Sequence, residues 1–138
     1  MPCRYFSPSI RPKASEKHYI CIYVTDSYMI IENLDIVKRL IDEKENGQVE
    51  FKETTGQLER GMETLCAFLN GNGGTVLFGV NDKGKIIGQE VSDKTKRDMA
   101  EAINRLEPVA MVRISYAPLP DSEKKVIIFR VEDSTLNR

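Results

Sequence analysis

The sequence predicts an α+β fold, in which about three helices pack on a mixed β-sheet of about five to six strands to form a single two-layer domain. Three segments carry apolar residues at helical spacing, whereas the segments between them alternate apolar and polar residues or run continuously apolar. The resulting order is helix, strand, helix, hairpin, helix, hairpin. Because 138 residues is the length of one domain, we divide the chain into an N-terminal arm, residues 1–30, and a folded domain, residues 31–138.

The arm holds three of the six prolines, which predicts an extended or poorly ordered segment. Within it, residues 19–24 have the β-branched and aromatic character of a strand. The first helix of the domain begins after Asn33, a preferred N-cap residue, and Gly47 lies beyond its end. A half-buried strand follows over residues 48–52, in which Val49 and Phe51 face the core.

The second helix is predicted over about residues 57–70, and its apolar stripe is Leu58, Met62, Leu65, Cys66 and Leu69. The near-continuous apolar run at residues 75–80 is typical of a strand that is covered on both faces. A tight turn at Asp82-Lys83-Gly84, with Gly84 in a left-handed conformation, leads to a return strand over residues 85–88.

A third helix begins at Ser92 or Asp93 and ends at Pro108. Its buried stripe is Met99, Ile103 and Leu106. Two further alternating segments, about residues 110–117 and 124–131, are predicted to form a hairpin on the sheet.

Composition excludes several classes of protein. With 41% hydrophobic and 30% charged residues the chain is an ordinary globular domain, and its net charge of −1 provides no overall basic field. The three cysteines are scattered and lack a CxxC pair, which argues against a disulfide framework and against a zinc site completed by His18. The apolar run near the N-terminus is too short to span a bilayer, so we expect no membrane partner and a cytoplasmic location.

The glycine-rich stretch Asn70-Gly71-Asn72-Gly73-Gly74 invites comparison with a phosphate-binding loop. Such loops lie between a strand and the N-terminus of the following helix, where backbone N–H groups point at the anion. Here the helix precedes the glycines. We therefore interpret Gly71 as a left-handed residue that ends the helix, and Gly73 and Gly74 as the entry to the central strand.

Three carboxylates form a candidate metal site. Glu45, Glu50 and Asp82 each lie at or near the end of a predicted element, and hard oxygen ligands suit Mg²⁺ or Mn²⁺. The alternative is structural: Glu50 pairs with its neighbours on the strand, and Asp82 is an ordinary turn residue.

Basic residues form a second candidate site, which we expect to contact nucleic-acid phosphates if they share one face. The candidates are Lys52, Lys83, Lys85, Lys94, Lys96 and Arg97. Because acidic residues are interleaved with them, an ordinary solvated surface is the alternative interpretation.

As a whole, the pattern resembles the Schlafen/AlbA-like DNA-binding domain family. The resemblance is carried by the segment Glu50-Phe51-Lys52 followed by the string AFxNxxGGxxxxGVxDxGxxxG at residues 67–88, and it extends over about residues 34–132. It implies a nucleic-acid-binding module of a prokaryotic transcriptional regulator or RecG-helicase-related protein. Members of this family usually carry an additional C-terminal region, so we expect one beyond this chain, and a homodimer is a further expectation.

The resemblance also implies two alternatives. Some Schlafen proteins are metal-dependent ribonucleases that use two glutamates and an aspartate, and the matching residues here are Glu45, Glu50 and Asp82. In that case Mg²⁺ or Mn²⁺ would be the cofactor. A domain that serves only protein interaction or oligomerisation is the other alternative.

Overall fold

A computed structural model describes residues 3–5, 30–107 and 111–132, with the backbone alone for Glu45 and Asn46. The described residues form three α-helices and six β-strands. The helices are α1 (Leu34–Asp42), α2 (Leu58–Leu69) and α3 (Asp93–Ile103). The strands are β1 (Arg4–Tyr5), β2 (Val49–Lys52), β3 (Gly73–Phe78), β4 (Leu106–Glu107), β5 (Arg113–Pro118) and β6 (Lys125–Glu132). The predicted α+β class and the predicted numbers of helices and strands are confirmed.

The main sheet has four strands in the order β2-β3-β6-β5. β2 runs parallel to β3, with α2 in the connection between them, and Lys52 at the end of β2 lies opposite Phe78. The pairs β3–β6 and β5–β6 are antiparallel, so the predicted hairpin is present. β1 and β4 form a separate two-stranded sheet. The main sheet is therefore mixed, as predicted.

Helices cover both faces of this sheet. Val76 and Phe78 of β3 pack against α2 and α3, while Leu77 between them packs against the side of α1 that carries Val37. This alternation explains the unbroken apolar run in β3, because there is a hydrophobic core on each face of the sheet and every residue of the run faces one of them. The predicted two layers correspond to the sheet with α2 and α3, and α1 adds a third layer on the opposite face.

The predicted helix termini are confirmed where a side chain caps the backbone. Asn33 Oδ1 accepts a hydrogen bond from the Asp35 N–H at 2.8 Å at the start of α1. A short 3₁₀ helix, Glu43–Asn46, extends α1 and ends at Gly47, whose φ is 75°. Ser92 caps α3 in a reciprocal arrangement with Thr95, which satisfies backbone N–H groups that the helix leaves free.

The core between α2 and the sheet depends on a small residue. The rings of Phe78 and Phe129 are both fully buried and meet edge to face, with centroids 5.1 Å apart. Gly61 of α2 lies directly above this pair, since a Cβ on it would come within 2.6 Å of Phe78 Cζ. Gly61 therefore lets the helix approach the aromatic pair closely.

Several details differ from the prediction. The residue in the left-handed conformation after α2 is Gly73, with φ 84°, and not Gly71. The return strand after the Gly84 turn is reduced to one bridge, Val80 to Ile86. In the arm, residues 4–5 form β1, whereas the strand predicted at residues 19–24 lies outside the described residues. The predicted helix end at Pro108 is wrong: α3 ends at Ile103, and Leu106, which is buried as predicted, lies in β4 and not in the helix. Lastly, residues 30–32 pair in parallel with β5, through Glu32 N to Tyr116 O at 2.8 Å.

Candidate nucleic-acid interface

The six basic residues predicted from the sequence lie on adjoining segments at one end of the main sheet. They are Lys52, Lys83, Lys85, Lys94, Lys96 and Arg97, and we call them the basic rim. The parallel pairing of β2 and β3 makes both strands end at the same edge, and Gly79 N donates to Lys52 O at 2.8 Å. Lys52 is half-buried there, and the segment that follows β3 carries the other five.

A hydrogen-bonded turn presents Lys83 and Lys85. Asn81 Oδ1 accepts from the backbone N–H groups of both lysines, each at 2.9 Å, and Asn81 N donates to Lys85 O at 3.0 Å. Gly84, at φ 83°, completes the turn in the left-handed conformation predicted for it. Both lysine side chains are exposed, and the hydrogen-bonded turn fixes the backbone from which these two positively charged groups extend into solvent.

Two glycines allow the segment after β3 to fold back on itself. Gly79 has φ 107°, and a Cβ on it would lie 3.1 Å from Gly88 Cα. The Gly79 carbonyl accepts hydrogen bonds from the N–H groups of Ile87, at 2.8 Å, and Gly88, at 2.9 Å. A side chain at Gly79 would push these two stretches of backbone apart, and one at Gly88 would crowd neighbouring side chains, so both glycines are needed for the fold of this segment.

Gln89 joins three segments at this end of the sheet, and sequence reasoning missed it. Its backbone N and O exchange hydrogen bonds with Lys125 at the start of β6, both at 2.9 Å. Its side chain, buried to 8% exposure, accepts from Thr55 N at 2.7 Å and donates to Thr55 Oγ1 at 3.0 Å. The only sequence signal was a polar residue after an apolar run, which does not reveal a partner 34 positions away.

The N-terminal turn of α3 supplies the remaining rim residues. The helix begins four residues after Gln89, and its Lys94 forms an ion pair with Asp98 at 2.8 Å. Both side chains of that pair are largely in solvent, with exposures of 76% and 46%. Arg97 is exposed and Lys96 is half-buried. Acidic residues share this end of the sheet, namely Glu53, Asp82, Glu90, Asp93 and Asp98, so the rim is a mixed surface, as the second interpretation of the sequence anticipated.

Two of the three proposed metal ligands have described side chains, and these two lie toward opposite faces of the sheet. Asp82 is exposed in the turn whose Gly84 lies against Ile41 and Phe51, on the α1 face of the sheet. Glu50 alternates with Phe51 in β2 and accepts a hydrogen bond from Phe51 N at 3.3 Å. Among the described side chains, which do not include that of Glu45, no three His, Cys, Asp or Glu residues are grouped to hold a metal ion. The metal site stays a prediction.

A polar cluster lies near the opposite end of the sheet. Glu32 accepts hydrogen bonds from Ser115 Oγ and from Arg130 Nη1, the latter at 2.9 Å. Burial alone would raise the pKa of Glu32, but the two hydrogen bonds and the Arg130 charge outweigh it and lower that pKa. This cluster fixes residues 30–32 on the edge of β5.

A second polar cluster secures β1 against α2. Tyr5 donates its hydroxyl to Glu59 Oε1 at 2.8 Å, and Arg105 approaches the same carboxylate at 3.7 Å. Burial, reinforced by the Glu59 carboxylate, raises the pKa of Tyr5 to about 12. The hydroxyl therefore stays protonated at neutral pH and keeps donating.

The model of the family described as Schlafen, AlbA_2 matches residues 45–138. No curated protein matches the chain significantly. Among solved structures, the crystal structure of the DIP2311 protein from Corynebacterium diphtheriae matches with 17% sequence identity and a TM-score of 0.46. That match covers 72% of this chain and 22% of the other, so this chain spans about a fifth of its length.

None of the described helices has the length and apolar character needed to cross a bilayer, the longest being the 12 residues of α2.

Proposed function

The chain belongs to the Schlafen/AlbA_2 family, whose match covers residues 45–138, and on that premise we propose that it is a nucleic-acid-binding module. We assign the contacts to the basic rim, which binds the phosphate backbone. The observation that carries the proposal is that Gln89 and the Asn81 turn hold rim residues from separate segments at one end of the sheet. The role we propose is DNA binding within a prokaryotic transcriptional regulator or helicase-related protein.

The turn makes Lys83 and Lys85 suitable for phosphate contacts. Their backbone N–H groups are both bound by Asn81, so the lysines emerge from a fixed loop and lose only side-chain freedom on binding. Lys94 is paired with Asp98, but an ion pair this exposed is worth less than about 1 kcal/mol and yields readily to a phosphate.

Contacts of this kind set the expected specificity. Bonds to phosphate position a protein on nucleic acid but carry no sequence information, so we expect little sequence preference. A net charge of −1 limits long-range attraction, so we expect weak binding. Because phosphate contacts release counterions, we expect this binding to weaken further as the salt concentration rises. We propose that a second copy of the chain, or a further C-terminal domain, raises the overall affinity by adding contacts on the same nucleic acid.

The proposal is tested by titrating labelled duplex DNA, single-stranded DNA and RNA at low salt. The informative variant combines Lys83→Gln and Lys85→Gln. A matched control combines Arg4→Gln and Arg113→Gln, which removes the same charge from exposed residues outside the rim. We expect weaker binding by the rim variant and near-normal binding by the control. Absence of binding to every strand at low salt, or equal losses in the two variants, would overturn the proposal.

A further inference from the structure

Asn70 holds the backbone of Cys3 against α2. Its Oδ1 accepts from Cys3 N at 2.6 Å, and its Nδ2 donates to Cys3 O at 3.2 Å. The pairing of Arg4 with Glu107 continues this attachment along β1. The position of Cys3 is therefore defined by hydrogen bonds on both sides of its peptide unit.

Cys66 lies one helical turn before Asn70. Residues four apart on a helix share a face, and Asn70 N donates to Cys66 O at 3.1 Å. Cys66 is buried at 7% exposure, and Cys3 packs against the core cluster that contains it. The same asparagine thus brings a half-buried cysteine and a buried cysteine together, although 62 residues separate them in the printed sequence.

From this arrangement we propose that Cys3 and Cys66 are a site of reversible oxidation, which forms one intramolecular disulfide. The oxidant is a low-molecular-weight disulfide. The Cys3 thiolate attacks it, which forms a mixed disulfide and releases one small thiol; the Cys66 thiolate then attacks the Cys3 sulfur and releases the second. The two protein thiols lose two electrons and two protons, which the small disulfide gains as it becomes two thiols.

The surroundings of Cys3 determine the rate of this reaction. Burial, and after it the contact with the Cys66 thiol, raises the pKa of the Cys3 thiol. Because the thiolate is the attacking species, oxidation is slow at neutral pH and accelerates as the pH rises. The product joins β1 to α2 covalently and closes a long loop, which restricts the unfolded chain and raises the midpoint of thermal unfolding by several degrees.

The test uses the full chain with Cys21→Ser, so that Cys3 and Cys66 are the remaining thiols. The protein is incubated with oxidised glutathione at neutral and alkaline pH, then analysed by intact mass, thiol alkylation and peptide mapping. We expect a monomer that has lost two hydrogens, a cross-link between the peptides of Cys3 and Cys66, and a higher unfolding midpoint. Reduction should restore both thiols and the original midpoint.

The matched control adds Cys3→Ser, a change at the more exposed partner, and should stop at a glutathione adduct on Cys66 or remain unmodified. The proposal is overturned if the two-cysteine protein keeps both thiols while free dithiothreitol is oxidised in a parallel tube under the same conditions. It is also overturned if only glutathione adducts or disulfide-linked dimers form.

Discussion

The side-chain amide of Gln89 forms two hydrogen bonds with Thr55, one with its backbone N–H at 2.7 Å and one with its hydroxyl at 3.0 Å. These bonds join the loop that follows β2 to the segment that follows β3, while the Gln89 backbone pairs with Lys125. The end of the sheet that carries the basic rim is therefore held by one buried residue outside any helix or named strand.

Replacing Gln89 by alanine is predicted to destabilise the protein by about 1–3 kcal/mol, because it removes the two hydrogen bonds that the buried Gln89 side chain forms with the half-buried Thr55. The control is Gln48→Ala, at an exposed glutamine, which should change the free energy of unfolding by less than about 0.5 kcal/mol. Urea denaturation of both variants measures the difference. Equal stability of the two would show that the Thr55 contact contributes nothing.

Glycine substitutions separate two roles within the string at residues 71–79. Gly79→Ala places a side chain at φ 107° and 3.1 Å from Gly88 Cα, so we expect a loss of more than about 1 kcal/mol. Gly71→Ala is the control, since its Cβ would lie at an ordinary 3.6 Å from Ala67 O and its φ is not positive. Denaturation midpoints should fall for the first variant and hold or rise slightly for the second. If Gly71→Ala lowered the midpoint more than Gly79→Ala, Gly79 would not be the glycine on which this segment depends.

The Glu32 cluster predicts a dependence of stability on pH. Because the folded chain lowers the pKa of Glu32 below its ordinary value of 4.5, the ionised carboxylate stabilises the fold above that pH. The contribution is lost as the pH falls through the lower, folded pKa. Glu32→Gln should therefore be less stable than the parent at neutral pH, with a difference that shrinks below pH 4.5.

Thermal unfolding across this acidic range measures that difference. Glu63→Gln, at an exposed carboxylate of α2, is the control, and its difference from the parent should stay small at every pH. If the difference in unfolding midpoint between Glu32→Gln and the parent were the same at every pH, ionisation of Glu32 would not contribute to the stability of the fold.

The nuclease alternative has its own test. Asp82 belongs to a turn on the α1 face, whereas Glu50 projects from the other face of β2, so we expect no Mn²⁺-dependent cleavage of RNA or DNA. Incubation of labelled strands with the chain and Mn²⁺, repeated with Glu50→Gln, decides the point. Cleavage that needs Mn²⁺ and disappears in the variant would establish the metal site instead.

Features that depend on local sequence were predictable. The α2 stripe, the inward Val49 and Phe51, the Asn33 cap and the left-handed Gly84 all follow from periodicity, capping or turn chemistry, and all are confirmed. The return strand after Gly84 was wrong because Gly79 takes a positive φ and its carbonyl accepts from both Ile87 and Gly88, which leaves one bridge instead of a ladder.

Features that depend on distant partners were not predictable from one sequence. Arg130 and Glu32 are 98 positions apart, and Asn70 and Cys3 are 67 apart, so their contacts depend on how the strands are ordered. Periodicity gives the face of each strand but not its neighbours. For the same reason the sequence did not reveal Gln89, which joins the segments of the basic rim, and the six rim residues stay a prediction as a binding site.

The most direct test of the central claim is the salt dependence of nucleic-acid binding. The dissociation constant for a duplex is measured at increasing salt for the parent, for the variant with Lys83→Gln and Lys85→Gln, and for the control with Arg4→Gln and Arg113→Gln. Each lost phosphate contact lowers the slope of log affinity against log salt by about 1, so the rim variant should lose about 2 and the control none. If the rim variant had the same slope as the parent, binding through the basic rim would be contradicted.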